Sequence, residues 1–416
     1  MRVLVLGGGV VGVAAAYFLG RDGHEVEVIE RRDKLASETS YGNAGLVSPG
    51  DSYAWASPAA LAVFIKSLYR PDLGIKVRPS LDPHFIAWSF KFLFECTDAR
   101  AYINTMRKFR LALYSKTCIN AISADTKVAY DEGRKGILYF YRSQESLDAG
   151  AKHMKILSDN GLTLDVIGRE RMVELEPGLK SAAHGIAGAL YSPLDQTGDS
   201  CKFSRNLAEW CAHNFSMRIR HGTTISAIET DGDHVTGIMT DKGRITADAI
   251  VVALGPETPL LTRKIGVNVP IYPVKGYSAT IPLPDPSLGP TMGGVDEDRL
   301  IAYSRLGDRL RVASTAEFAG YDRSHKPADF KRLLATAGDL FPGCVDAAKA
   351  EYWAGLRPMT PTSVPILGRA RYRNLFLDVG HGHVGWTMAA GSGKFVADLV
   401  SDRMPEIDTD GLLYVN

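Results

Sequence analysis

The sequence predicts a protein of the α/β class, and three observations carry that prediction. Residues 2–6 form a short apolar run that passes directly into a glycine-rich turn and a helix-forming stretch, with a second strand-like stretch at 24–29. Residues 375–400 repeat the arrangement as a strand, a glycine-rich turn and a long apolar helix. Residues 224–254 hold three short β-prone runs separated by tight turns, the last of them continuously apolar. Short apolar strands alternating with helices mark a parallel sheet covered on both faces.

Taken in order, Arg2-Val3-Leu4-Val5-Leu6 reads as a buried parallel strand. Gly7-Gly8-Gly9-Val10-Val11-Gly12 then matches G-x-G-x-x-G. Gly7 lets the chain turn out of the strand, Gly9 leaves room for a pyrophosphate at the backbone, and Gly12 allows close packing of helix on strand. The helix N-terminus offers unpaired N–H groups to the phosphates. Glu30 ends the second strand about 20 residues on, where an acid accepts hydrogen bonds from the adenosine ribose. This is the Rossmann pattern, and the acid favours an unphosphorylated ribose, hence FAD or NAD rather than NADP.

After Glu30 the pattern departs from a plain nicotinamide domain. Residues 37–50 form a long loop of small and polar residues that encloses the apolar pair Leu46-Val47. Such a loop can bring backbone N–H groups up to a flat ring. Residues 57–129 look mainly helical. Within them, 84–116 mixes aromatics with bases, which suits helices with a solvated basic face. The alternative is an amphipathic surface that meets a membrane interface or a partner. A strand at 137–141, a helix at 146–160 closed by Gly161, a strand at 186–191 and a helix at 203–213 follow. The β-unit ends at Gly255. Residues 272–277 open a second run of strands, continued at 300–303 and 309–315, before a helix at 328–340. The segment 352–361 carries Arg357, is stiffened by Pro358 and Pro361, and leads to 364–368. Residues 380–386 form the glycine-rich turn that precedes the last helix, 387–400.

Bulk properties narrow the functional classes. A formal net charge of +1 over 416 residues provides no basic field to recruit nucleic acid. Five cysteines are scattered without a CxxC pair, which fits neither a zinc site nor a disulfide framework, and a reducing cytoplasm is the expected compartment. Residues 3–19 are apolar, but consecutive glycines followed by Arg21 and Asp22 do not make a signal peptide. No run reaches the roughly 20 apolar residues of a spanning helix. His381 and His383, two apart around a glycine, do not make a metal site.

With these motifs in view, the chain resembles the D-amino-acid oxidase/glycine oxidase superfamily of flavoproteins, and within it the bacterial D-amino-acid dehydrogenase family. The matching pieces are 3–30, 38–50 ("ETS…NAG…SPG"), 272–277 ("YPVKGY"), 353–368 ("WAGLRPMTP…VPILG") and 380–393 ("GHGHVGWTMAAGSG"). The resemblance implies non-covalent FAD and a Rossmann-like FAD-binding domain (1–56, 190–265 and 350–416). A substrate domain built on a mostly antiparallel sheet (57–189 and 266–349) is interleaved with it. The residues expected against FAD are Val3, Gly7, Gly9, Val10, Val11, Gly12, Glu30, Arg31, Ser40, Asn43, Ala44, Gly45, Leu46, Gly255, Gly355, Gly380, His381, Gly382, His383, Gly385, Trp386 and Thr387. Arg357 is expected to pair with the substrate carboxylate, a task its planar guanidinium suits, and Tyr277 is the second expected catalytic residue. Tyr53, Lys275 and His383 are expected to line the substrate pocket.

The implied reaction is oxidative deamination of D-amino acids by hydride transfer from Cα to flavin N5. The imino acid then hydrolyses to a 2-oxo acid and ammonia, and electrons pass to a quinone or other carrier. Positioning suffices and no general base is named. Rival readings are a cyclic or secondary amino-acid substrate (D-proline, D-hydroxyproline, glycine, sarcosine) and a flavoprotein subunit of a larger complex. The expected setting is the cytoplasm, with peripheral contact on the inner face of the membrane, or a partner subunit, left open.

Overall fold

The structure, a computed structural model, describes residues 1–69, 74–78 and 80–415, without the side chains of 64 and 67–69. Its first sheet has six strands in the order Ile366–Arg369, Leu375–Val379, Ala249–Val252, Arg2–Leu6, Glu25–Ile29 and Met217–Arg220. All neighbours run parallel except Ile366–Arg369 against Leu375–Val379. The apolar run at the N-terminus explains why this strand is central. Val3 and Val5 point into a helical layer, while Leu4 and Leu6 point to the opposite face. That opposite face is covered by the antiparallel excursion Ile225–Asp231, His234–Thr240 and Gly243–Ile245. Val3, expected against the cofactor, is therefore a core residue with no exposed surface.

The helical layer consists of Val10–Arg21, Gly385–Val400, Asp98–Thr126 and Ser200–Asn214. Two glycines set its spacing. A Cβ at Gly393 would lie 2.6 Å from the Ala15 nitrogen, and one at Gly391 would lie 2.8 Å from Ser115. The last helix is thus clamped between the first helix and the long one, which fixes the turn at its N-terminus against the first strand's glycine loop.

The second sheet runs Glu351–Met359, Tyr272–Pro282, Arg309–Phe318, Ile301–Leu306, Gly293–Asp296, Ile137–Tyr141, Gly188–Ser192 and Asp165–Gly168, with Ile75–Val77 paired to Arg309–Phe318. It is antiparallel at every pairing but two, the parallel exceptions being Gly293–Asp296 with Ile137–Tyr141 and Ile75–Val77 with Arg309–Phe318. One face packs on helix Lys331–Leu340 through Tyr277, Phe330 and Phe341. The expected fold class is the observed one. The segment 352–361, expected only as a connection, is an edge strand. Pro358 has no N–H to give, which an edge position tolerates. Two strands cross the expected domain divisions: Gly188–Ser192 and Glu351–Met359 both pair within the second sheet. The two sheets are tied by a two-stranded link between Leu46–Val47 and Gln196–Thr197 and by a bridge between Met359 and His381.

Candidate active site

The first strand delivers the chain into the glycine loop with Gly7 at φ +110°, where a Cβ would strike the Ala253 carbonyl oxygen at 2.5 Å. Gly12 is needed one turn later, because a Cβ there would lie 2.0 Å from the Gly7 oxygen. Gly9 differs from both. The nearest atom to a Cβ at Gly9 is Ser40 Oγ at 3.3 Å, so little protein crowds this backbone and the space faces a cavity. Helix Val10–Arg21 starts without a side-chain cap from Gly9. Its first N–H, on Val10, donates to Ser40 Oγ at 3.0 Å, so the loop expected near the flavin reaches back to the phosphate turn. Glu30 is buried at the end of the second strand. Its carboxylate accepts from the Gly8 N–H at 3.0 Å and the Arg32 N–H at 2.8 Å. Each oxygen keeps a lone pair for a further donor such as a ribose hydroxyl.

A cavity of about 1180 Å³ runs from this loop to the turn 381–387 and on to Arg357. Its wall brings together Gly7, Gly9, Val10, Val11, Glu30, Arg31, Ser40, Asn43, Ala44, Gly45, Leu46, Gly255, Gly355, His381, Gly382, His383, Gly385, Trp386 and Thr387. The residues present fit FAD. The glycine loop leaves a phosphate-sized gap, and a buried acid waits at the ribose position. Ser48 Oγ and the Asp378 carboxylate, both on the wall, have no hydrogen-bond partner among the described residues. Asp378 does lie 3.2 Å from His381 Nε2, which bonds instead to Ser392 Oγ at 2.9 Å. At the other end of the cavity, helix Gly385–Val400 begins without a side-chain cap and presents its positive end to the wall.

Several expected residues lie elsewhere. Val3 and Gly12 sit behind the wall, in the core and under the Gly7 carbonyl. Gly380 shapes its turn instead, with φ +80° and a Cβ position 2.7 Å from Thr360 Cγ2. Lys275 is fully buried off the wall, its Nζ donating to the Ser324 carbonyl at 2.6 Å and to Asp322 at 3.2 Å. Tyr277 touches the wall, but its hydroxyl donates to Glu317 and its ring packs edge-on against Phe330. Strand alternation is the reason. A Cβ on Gly276 would meet the Arg357 guanidinium at 2.5 Å, so Gly276 faces the chamber and Lys275 beside it points away. Tyr53 is also off the wall, stacked on His153 with ring centroids 4.1 Å apart.

Arg357 projects from strand Glu351–Met359 into the cavity. One guanidinium nitrogen donates to the Thr315 carbonyl at 2.7 Å, and the group lies 6.0 Å from the Trp55 ring centre. It makes no ion pair with any described residue, so most of its donors are free. Burial lowers it to about 10, the Asp51 charge offsetting part of the loss, so it remains a cation at neutral pH. His383 stacks on Trp55 at 4.9 Å, and its Nε2 lies 3.3 Å from the Asp51 carbonyl oxygen. Burial, reinforced by Lys108 and Arg357, pushes His383 well below its usual range, so the ring is neutral. Its proton then sits on Nε2, and Nδ1 is a buried lone pair without a partner.

Three residues of this chamber, Asp51, Trp55 and Glu297, and Lys108 buried behind it, were not expected from the sequence. Asp51 and Trp55 come just after the loop 37–50, and Asp51 directly follows the motif that ends at Gly50. Lys108 carried a readable signal. Its spacing to Leu111, Ala112, Ser115 and Ile119 puts it on the buried stripe of its helix.

A cavity that leads from a dinucleotide-type glycine loop to a chamber holding an unpaired guanidinium fits an oxidoreductase. The chain belongs to the FAD dependent oxidoreductase (DAO) family, whose model matches residues 2–399. It is 60% identical over 414 residues to D-amino acid dehydrogenase 2 of Mesorhizobium japonicum, covering 100% of both chains. It is 45% identical over 412 residues to a D-amino acid dehydrogenase of Sinorhizobium medicae, covering 99% of each. In fold it is similar to glycine oxidase from Geobacillus kaustophilus, with a TM-score of 0.74 at 22% identity, covering 100% of this chain and 99% of the other. FAD, expected from the glycine loop and the acid, is the family's cofactor.

Proposed function

We propose that this protein is a D-amino-acid dehydrogenase that deaminates its substrate oxidatively to a 2-oxo acid and ammonia. The observation that carries the reading is Arg357, a half-buried guanidinium with free donors on the wall of the FAD cavity. Arg357 holds the substrate carboxylate in two parallel hydrogen bonds, which fixes Cα in the chamber. Bound FAD supplies the hydride acceptor. The uncapped start of helix Gly385–Val400 favours negative charge beside it. Trp55 and His383 form an apolar, uncharged wall that keeps water from the reacting carbon.

In this reading 1–56, 190–265 and 350–416 make up the FAD-binding part and 57–189 and 266–349 the substrate part, with strand Glu351–Met359 lent to the second sheet. The electron acceptor is a quinone or similar carrier. Contact with the membrane would fall on helix Pro83–Glu95, where Ile86, Phe90, Leu93 and Phe94 are exposed along one side. No helix among the described residues is long and apolar enough to cross a membrane.

The test is anaerobic addition of D-alanine, D-proline and glycine to the yellow holoenzyme. Bleaching with a D-amino acid, followed by reoxidation faster with a quinone analogue than with oxygen, is the expected result. No bleaching with any amino acid would overturn the proposal.

A further inference from the structure

Asp51 occupies the chamber opposite in charge to Arg357, and nothing in the description above uses its side chain. It ends the short turn Pro49–Asp51, whose backbone is held by the Asp51 N–H donating to the Ser48 carbonyl at 3.1 Å. Its own carbonyl is engaged by His383. The carboxylate lies on the cavity wall and accepts no hydrogen bond and forms no ion pair within 4 Å among the described residues. The groups that face it are Lys108 from helix Asp98–Thr126, Arg357 from strand Glu351–Met359, His383 from the last turn, Glu297 after strand Gly293–Asp296, and Tyr53 and Tyr139.

An amino acid at neutral pH is a zwitterion with its two charges on neighbouring atoms. A chamber with one unpaired cation satisfies half of it. A buried, partnerless charge is costly to keep, so an unfilled carboxylate beside an unfilled guanidinium is a matched vacancy for the other half. We propose that Asp51 is the substrate's ammonium-binding residue, reading the amino group while Arg357 reads the carboxylate. This rests on the amino-acid reading above.

Burial lifts the Asp51 carboxyl above its usual range, and the Lys108 and Arg357 charges pull it back toward the anion. Lys108 lies behind it: its side chain is fully buried, its Nζ donates to the Tyr53 carbonyl rather than into the chamber, and burial lowers it from its usual range with the Asp51 charge opposing. Glu297 shares the wall without a side-chain partner among the described residues, and burial with the nearby Asp51 charge pushes its carboxyl up to about 8, which favours its neutral form over that of Asp51.

Two ligands that differ only at the amino group test this without turnover. Both 2-aminoisobutyrate and 2-hydroxyisobutyrate lack a Cα hydrogen, so neither can be oxidised. Binding to the holoenzyme at pH 7.5 is read from the flavin spectrum or by calorimetry. The wild-type protein should bind the amino ligand tighter by about tenfold or more, the scale of a charge-assisted contact. Asp51→Asn should erase that preference and leave the hydroxy ligand no weaker, and Asp51→Glu should restore part of it. A wild-type protein without the preference would overturn the proposal, as would Asp51→Asn weakening both ligands equally, which is the mark of a merely structural residue. If the wild-type protein binds neither ligand and oxidises no amino acid, the amino-acid reading itself has failed.

Discussion

Arg357 and Asp195 show how burial makes single side chains informative. Replacing Arg357 by alanine removes the free guanidinium without touching the glycine loop. FAD content should stay near one per chain, while KM for a D-amino acid rises by about a hundredfold. Steady-state kinetics beside the absorbance ratio of flavin to protein will show both. Asp195 carries a pH prediction. It is fully buried, accepts from the Tyr139 hydroxyl at 2.7 Å, and is pushed up to about 7 by burial. An unfolded aspartate titrates near 4, so between roughly pH 4 and 7 the folded chain holds a proton that the unfolded chain has released. The contribution is full at the acid end and is lost as pH rises through 7. Asp195→Asn should therefore gain thermal stability relative to wild type as pH goes from 5 to 8, measured as the difference in Tm across that range. At this scale the cofactor loop was the most legible part, because its spacing and its acid act through neighbours in sequence. Asp51 and Glu297 were not, because a chamber charge acquires meaning only when segments far apart in the chain face each other.

Among the elements, the first turn of helix Val10–Arg21 and the edge strand Glu351–Met359 position the two ends of the site. A methyl group at Gly12 has to displace the Gly7 carbonyl, which itself sets the phosphate turn. Gly12→Ala is expected to cost about 1–3 kcal/mol and to release FAD, as overpacking of a tight site does. Denaturant unfolding and gel filtration with flavin detection will report the two effects separately. Strands were harder to read than helices. The run 272–277 was legible as a strand, yet which of its faces meets the chamber depends on Gly276 sitting under Arg357. Lys275, one residue before Gly276, therefore lies off the wall, whereas Tyr277 reaches the wall with its hydroxyl held by Glu317. The strand 351–359 was hidden by Pro358, whose missing N–H argues against a strand until an edge position is known.

Across the whole molecule, all five cysteines are buried and free. The native protein should react slowly with an aromatic disulfide reagent and release five equivalents of thiol once unfolded in guanidinium; fast reaction of any one under native conditions would contradict the packing. The exposed side of helix Pro83–Glu95 makes a second prediction. Phe90→Ser with Phe94→Ser should lower co-sedimentation with vesicles of anionic phospholipid while leaving oxidation of D-alanine with a soluble dye unchanged. The fold class was legible because apolar alternation reports directly on sheets and helices. The way the strands order themselves was not, because the six-stranded sheet takes its members from residues 2–29, 217–252 and 366–379.

That ordering has a consequence for how the protein is made. The strand Arg2–Leu6 leaves the ribosome well before its neighbour Ala249–Val252 and the next strand, Leu375–Val379, which come hundreds of residues later. The glycine turn therefore stays unclosed until residues 375–379 have emerged. A chain halted before residue 375 should emerge as an apoprotein regardless of how much flavin surrounds it.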